Sequence, residues 1–405
     1  MTSNERGTTR RRALAVGAGA AVGSVALPAS WFHSDPLDGT TVKPGTWPAW
    51  RRDPARTGHD PDGSAPTREP DVAWRTTLPD DNSARTRLAA SRGALYVATD
   101  RRLRAVDAAT GETRWERTRL GTLAWDREPL WVEGGPALHD GQVLLGASVS
   151  AYGLDRDDGR AEWQYRTNSS LDATLRAGNT VYVASSVGDG DRLVAIDAAS
   201  GLERWKTPAD RGVVPTASAG GYVVGPPIGP DGSIAAVDAG SGGVEWTRDL
   251  PGEVSRFGDP CIADGTVYVG GETLSALSLT GGSTRWSRSL GVADADAVRP
   301  PVSDGGTAYL VAGEPARALA VGAERGDIQW EVDLPPVPPG GAPALVDGTL
   351  YVGLESGVLA LDAVTGEELF RVTTSGGANL ANSPIVAGGR LFVALGRRLY
   401  AMEEP

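Results

Sequence analysis

The sequence predicts an all-β fold, an eight-bladed β-propeller of four-stranded antiparallel blades. Three observations carry this: an aromatic residue recurring at a steady period, two apolar strand cores inside every period, and glycine turns at fixed places between them. The aromatic stands at Trp74, Trp115, Trp163, Trp205, Trp246, Trp286, Trp330 and Phe370, in steps of 41, 48, 42, 41, 40, 44 and 40 residues. A period of about 40–45 residues is that of a propeller blade.

The clearest copy is residues 343–370, PALVDGTLYVGLESGVLALDAVTGEELF. One strand core recurs eight times, as Leu95-Tyr96-Val97, Val143-Leu144-Leu145, Val181-Tyr182-Val183, Tyr222-Val223-Val224, Val267-Tyr268-Val269, Ala308-Tyr309-Leu310, Leu350-Tyr351-Val352 and Leu391-Phe392-Val393. β-Branched and aromatic residues suit buried pleated strands, and the flanking Asp-Gly, Gly-Gly and Thr-Gly pairs supply the positive φ of tight hairpins. The eighth copy stops after its third strand, whereas the segment around Trp74 has an aromatic strand with no blade before it. The N-terminal strand therefore completes the last blade and closes the ring without an open seam. The eight aromatics are expected to dock each blade onto the next.

One propeller uses nearly all of the 405 residues, giving three regions: 1–29 a targeting signal, 30–70 an N-terminal extension or linker, and 71–402 the propeller. Thr9-Arg10-Arg11-Arg12-Ala13-Leu14 has the twin-arginine pattern, and the Ala/Gly-rich stretch behind it is short and mildly hydrophobic for a membrane span. The expected location is extracellular or at the cell surface. A net charge of −12, with only Lys43 and Lys206 among 39 basic residues, disfavours nucleic acid and matches salt-adapted, halophilic proteins. Cys261 is the only cysteine, so there is no internal disulfide, and it reads as a small buried hydrophobe.

The phrase Leu-Asp-Ala-x-Thr-Gly-x-x-x-Trp, preceded by Asp-Gly-x-Val-Tyr-Val-Gly, resembles the pyrroloquinoline quinone (PQQ) repeat. It stands here at residues 105–115, 195–205 and 361–370. The resemblance implies an eight-bladed propeller with tryptophan docking, in a family that includes quinoprotein dehydrogenases, the BamB assembly propeller and many exported propellers. Residues 47–58, WPAWRRDPARTG, look like the lead-in of its exported haloarchaeal group. Fold membership alone does not transmit function.

A quinone enzyme needs a flat aromatic floor, a cation held by carboxylate and amide oxygens, and an Asp base. The vicinal disulfide found in many of the family's dehydrogenases cannot form here, and none of their Glu, Asn and Asp site residues can be placed on this chain. No catalytic residue and no cofactor is therefore expected, with PQQ and calcium belonging only to the alternative reading. His33, His59 and His139 lack ligand spacing for zinc. Asp155-Arg156-Asp157-Asp158-Gly159 resembles a calcium loop but aligns with the repeat's ordinary turn, which leaves Asp189 and Asp191, in an enlarged loop, as weak calcium candidates.

Binding is the stronger expectation. The longest link between blades, residues 116–135, carries Trp125 and Trp131, either a lid over the channel or a platform for a sugar or peptide. Arg87, Asp172, Asp259, Arg299 and Ser383 align just before innermost strands and are expected to ring the channel mouth, as ligand contacts or as solvated rim. Trp47 and Trp50 are expected to cap one face or touch a partner. The leading reading is a monomeric, non-catalytic scaffold with a protein or glycan partner at the cell surface. The alternatives are a PQQ- and calcium-dependent alcohol or sugar dehydrogenase and a polysaccharide-binding module.

Overall fold

In a computed structural model, seven blades of four consecutive antiparallel strands follow one another along the chain, and an eighth is assembled from both ends of the ring. The structure describes residues 16–17, 42–78, 86–91, 93–123, 127–167, 171–187, 190–209, 211–227, 232–252, 259–335, 341–374 and 383–405. Blade 1 runs through Arg87–Ser91, Ala94–Thr99, Arg102–Asp107 and Thr113–Arg117, from the innermost to the outermost strand. Blades 2 to 7 repeat this order, with innermost strands Ala137–His139, Leu171–Ala177, Ala217–Ala219, Cys261–Ala263, Val302–Ser303 and Ala344–Val346. Blade 8 takes three strands from the C-terminus, beginning with Ile385–Ala387, and its outermost strand from Asp71–Thr77. There Asp71 pairs with Glu403 and Thr77 with Arg398, so the N-terminal strand closes the ring as expected.

The docking aromatics show why the repeat has its spacing. Each lies opposite a small residue of the neighbouring third strand, such as Ala105 facing Trp115 or Gly153 facing Trp163, and the register shifts beside that pair. The small residue makes room for the ring, and the bulge re-aims it toward the next blade. Trp74, Trp163, Trp246 and Trp330 donate their indole N–H to Ala108, Ala198, Leu279 and Ala363 carbonyls of the following blade, at 2.8–3.0 Å. Each of these rings also lies over that blade's turn glycine; a Cβ on Gly282 would come within 2.6 Å of Trp246. Phe370, which faces blade 8, has no N–H to donate; it packs against Tyr351 with centroids 6.4 Å apart.

In blades 1 to 4 and blade 7 the turn before the outermost strand is an aspartate turn, whereas blades 5 and 6 place Ser278 and Gly322 there. In blade 2 the Asp155 carboxylate accepts from the Asp157 and Asp158 amides at 2.8 and 3.1 Å, and Gly159 follows at φ 70°. The same pair of bonds recurs at Asp107 and Asp362, and Asp238 accepts from the Ser241 amide. The calcium-like run at residues 155–159 is thus an ordinary Asx turn. Cys261 is fully buried and burial pushes its thiol up to about 12, consistent with a packing role. No helix among the described residues is long and apolar enough to cross a membrane.

Candidate functional site

Within its blade each innermost strand has one partner, so its other edge faces the channel with backbone groups that need partners from elsewhere. Residues 45–60 answer those edges in a single circuit. Trp47 exchanges two backbone bonds with Ala90 of blade 1. The carbonyls of Pro48, Pro54, Ala55, Thr57, Gly58 and Gly45 accept from Leu138, Ser218, Ile262, Ser303, Leu345 and Gly388, at 2.7–3.0 Å. Among the described residues this strap hydrogen-bonds to seven of the eight blades, and its two ends meet where the Gly45 amide donates to the Asp60 carboxylate at 3.0 Å. Trp47 and Trp50 were expected to cap a face. Trp47 is instead fully buried inside the ring, among Leu88, Val346 and Ile385. The reason is that an eight-bladed channel is wide enough to admit a chain and lined with amides that need acceptors.

The strap buries charge. Arg51, Arg52, Asp53, Arg56 and Asp60 are all nearly inaccessible to solvent. Arg51 donates to the carbonyls of Asp259, Pro260 and Pro301, which belong to the links entering blades 5 and 6. Arg56 donates to Thr216 at 2.9 Å and to Trp50. Arg52 pairs with Asp60 at 2.8 Å, and Asp53 accepts from the Thr57 amide and hydroxyl. Burial lowers the Arg56 pKa to about 10, with Arg51 and Arg87 pushing the same way and Asp259 and Asp53 opposing. Three arginines, Arg51, Arg52 and Arg56, hold left-handed backbone at φ 55°, 70° and 61°, which lets the strap turn within the channel.

The residues expected at the mouth separate into two groups. Arg87 and Asp259 converge on the strap: the Arg87 guanidinium stacks 4.5 Å above the Trp50 ring, with Arg56 at 5.2 Å. Burial holds Asp259 above the usual carboxylate range against the pull of Arg51, Arg56 and Arg87. Arg299 is buried and donates to the Asp296 carbonyl of its own link, while the Ser383 hydroxyl accepts from the Ala342 amide. Arg299 stays within its own link, Ser383 ties together the links entering blades 7 and 8, and neither joins the cluster. Asp172 lies in the innermost strand of blade 3, Leu171–Ala177. Trp131 is 48% exposed, with Arg101 stacked 4.2 Å from its ring. Trp125 and Asp189 lie outside the described residues, as does the side chain of Asp191. Among the described residues no group of three or more His, Cys, Asp or Glu side chains is placed to hold a metal.

The charged residues of the strap were not singled out from the sequence. The available signal was a run of arginines interleaved with Trp, Pro and Ala, just before a ring whose inner edges required acceptors.

The family model of outer membrane protein assembly factor BamB covers the ring and begins after the strap, matching residues 69–225, 166–318, 230–357 and 314–404. The chain belongs to this family of PQQ-repeat propellers. BamB of Salmonella typhimurium is 26% identical over 315 residues, 72% of this chain and 76% of that protein. The serine/threonine-protein kinase AfsK of Streptomyces griseus is 35% identical over 207 residues, 47% of this chain, and the chain spans only 24% of the kinase. Among solved structures, BamB from Moraxella catarrhalis aligns with a TM-score of 0.61 at 19% identity, over 83% of this chain and all of that one. A quinohemoprotein alcohol dehydrogenase from Comamonas testosteroni aligns at 0.64 and 16% identity, over 93% and 82%. At these identities both show the BamB-like fold alone.

Proposed function

We propose that this chain is an exported, non-catalytic propeller that acts as a binding or assembly scaffold at the cell surface. The observation that carries the reading is the strap. A quinone and a divalent cation seated at the axis would need an open floor with carboxylate and amide oxygens turned toward it. Here residues 45–60 fill the axis, many of their carbonyls are taken by inner-strand amides, and Asp53 and Asp60 are engaged by Thr57 and Arg52. The residues present at the axis do not fit that pair. A ring with a filled centre offers its loop-bearing faces to partners, and Trp131 with Arg101 is the exposed aromatic on one of them. The twin-arginine pattern supports export, and the BamB relatives, named for outer membrane protein assembly, support a protein partner.

The test is titration of the folded protein with pyrroloquinoline quinone and calcium at high salt, following tryptophan fluorescence and reduction of an artificial electron acceptor by alcohols and sugars. Neither quenching nor turnover is expected. Saturable quenching with turnover would make the chain a quinoprotein dehydrogenase.

A further inference from the structure

The strap has the contacts of a bound peptide. It reaches the ring mainly through its own carbonyls, which accept from inner-strand amides of six blades and from the Gly388 amide just past the innermost strand of blade 8, a mode indifferent to side-chain identity. The ring does not need it for closure, because Asp71–Thr77 completes blade 8 and the family match begins at residue 69. The strap also carries features unfavourable in a permanent core. Its three left-handed arginines are strained. The buried Nε atoms of Arg51 and Arg52 and the indole N–H of Trp47 find no hydrogen-bond partner among the described residues.

We propose that the propeller channel is a binding site for a looped, arginine-bearing peptide, occupied in cis by residues 45–60. The inner-strand amides hold the peptide backbone, and a few positions decide which peptide fits. The link carbonyls of Asp259, Pro260, Pro301 and Thr216 select guanidinium groups at positions 51 and 56. The left-handed turn at position 58 selects glycine, because a Cβ there would come within 2.5 Å of Val302. The buried slot at position 47 selects tryptophan. This concerns the channel alone and stands whether or not the loop faces bind a partner.

The experiment uses the full chain with a protease recognition sequence inserted between Arg68 and Glu69, both exposed. After cleavage, a fluorescent synthetic peptide of residues 42–66 is added in excess and followed by anisotropy and gel filtration. The ring is expected to stay folded and to take up the peptide saturably in exchange for its own strap. Peptides carrying Arg51→Ala with Arg56→Ala, or Gly58→Val, should bind at least about tenfold more weakly, and a scrambled peptide should not compete. To exclude slow exchange, the measurement is repeated on cleaved protein whose own strap carries Arg51→Ala, where the wild-type peptide should enter readily. A ring that unfolds when the strap leaves, no uptake into the weakened protein, or equal competition by the scrambled peptide would each overturn the proposal.

Discussion

Arg52 and Asp60 form an ion pair of 2.8 Å inside the channel, with side chains 8% and 1% exposed, and the same carboxylate accepts from the Gly45 amide. One acid thus holds both ends of the strap. Removing it strands a buried guanidinium, which typically costs about 3–5 kcal/mol. Asp60→Ala is expected to lower the melting temperature by several degrees, and a melt indistinguishable from wild type would refute this role.

Trp246 joins blades 4 and 5 through its indole N–H and its stacking on Gly282. Trp246→Ala should destabilise by about 3–5 kcal/mol, as large aromatic deletions in packed cores do. Thermal melting tests it, and Trp246→Phe should recover part of the loss by refilling the space without the hydrogen bond.

Gly282 and Gly348 separate backbone strain from contact. Both have positive φ, 64° and 72°, but a Cβ on Gly348 meets nothing within 4 Å, whereas one on Gly282 meets the Trp246 ring. Gly348→Ala should therefore cost only the backbone term, about 1 kcal/mol. Gly282→Ala should cost clearly more in the same denaturation series; equal losses would refute the contact.

Burial lowers the pKa of His139, with Arg176 adding to it, and burial likewise lowers that of His59. A base whose folded pKa lies below its unfolded value, about 6.5, binds more protons when unfolded, so stability is intact above that pH and declines as pH falls below it. Melting temperature should fall between about pH 7.5 and pH 5.5, and His139→Gln should flatten that fall. Parallel declines in the two proteins would assign the effect to other groups.

Trp131 presents about half its surface on the face where the long link lies. If that link is the partner-binding element, a Trp125→Ala, Trp131→Ala double variant should keep its melting temperature and lose capture of surface-extract partners. Unchanged capture would remove the link from the interface.

The ring was legible because a propeller is written locally. Each docking Trp packs against a small residue of its blade's third strand and a glycine in the next blade's turn, so Trp246, Ala236 and Gly282 leave the same signal in every copy that ends in Trp. The missing fourth strand of the last copy and the orphan strand at Trp74 left only one way to close. Sequence alone also showed residues 155–159 as the repeat's ordinary turn, and Cys261 as a core residue.

The strap was not legible, because nothing in residues 45–60 repeats and its partners lie as far as 343 positions away, where Gly388 meets Gly45. Whether Arg51 is a solvated rim charge or a buried donor depends on carbonyls at Asp259, Pro260 and Pro301, which only the closed ring assembles. The same holds for Arg87 and Asp259, which converge on the strap, while Arg299, placed alike by alignment, turns into its own link and Ser383 meets the link entering blade 7. Short-range periodicity determined the blades; the channel and what fills it were decided by contacts that exist only after eight blades close around them.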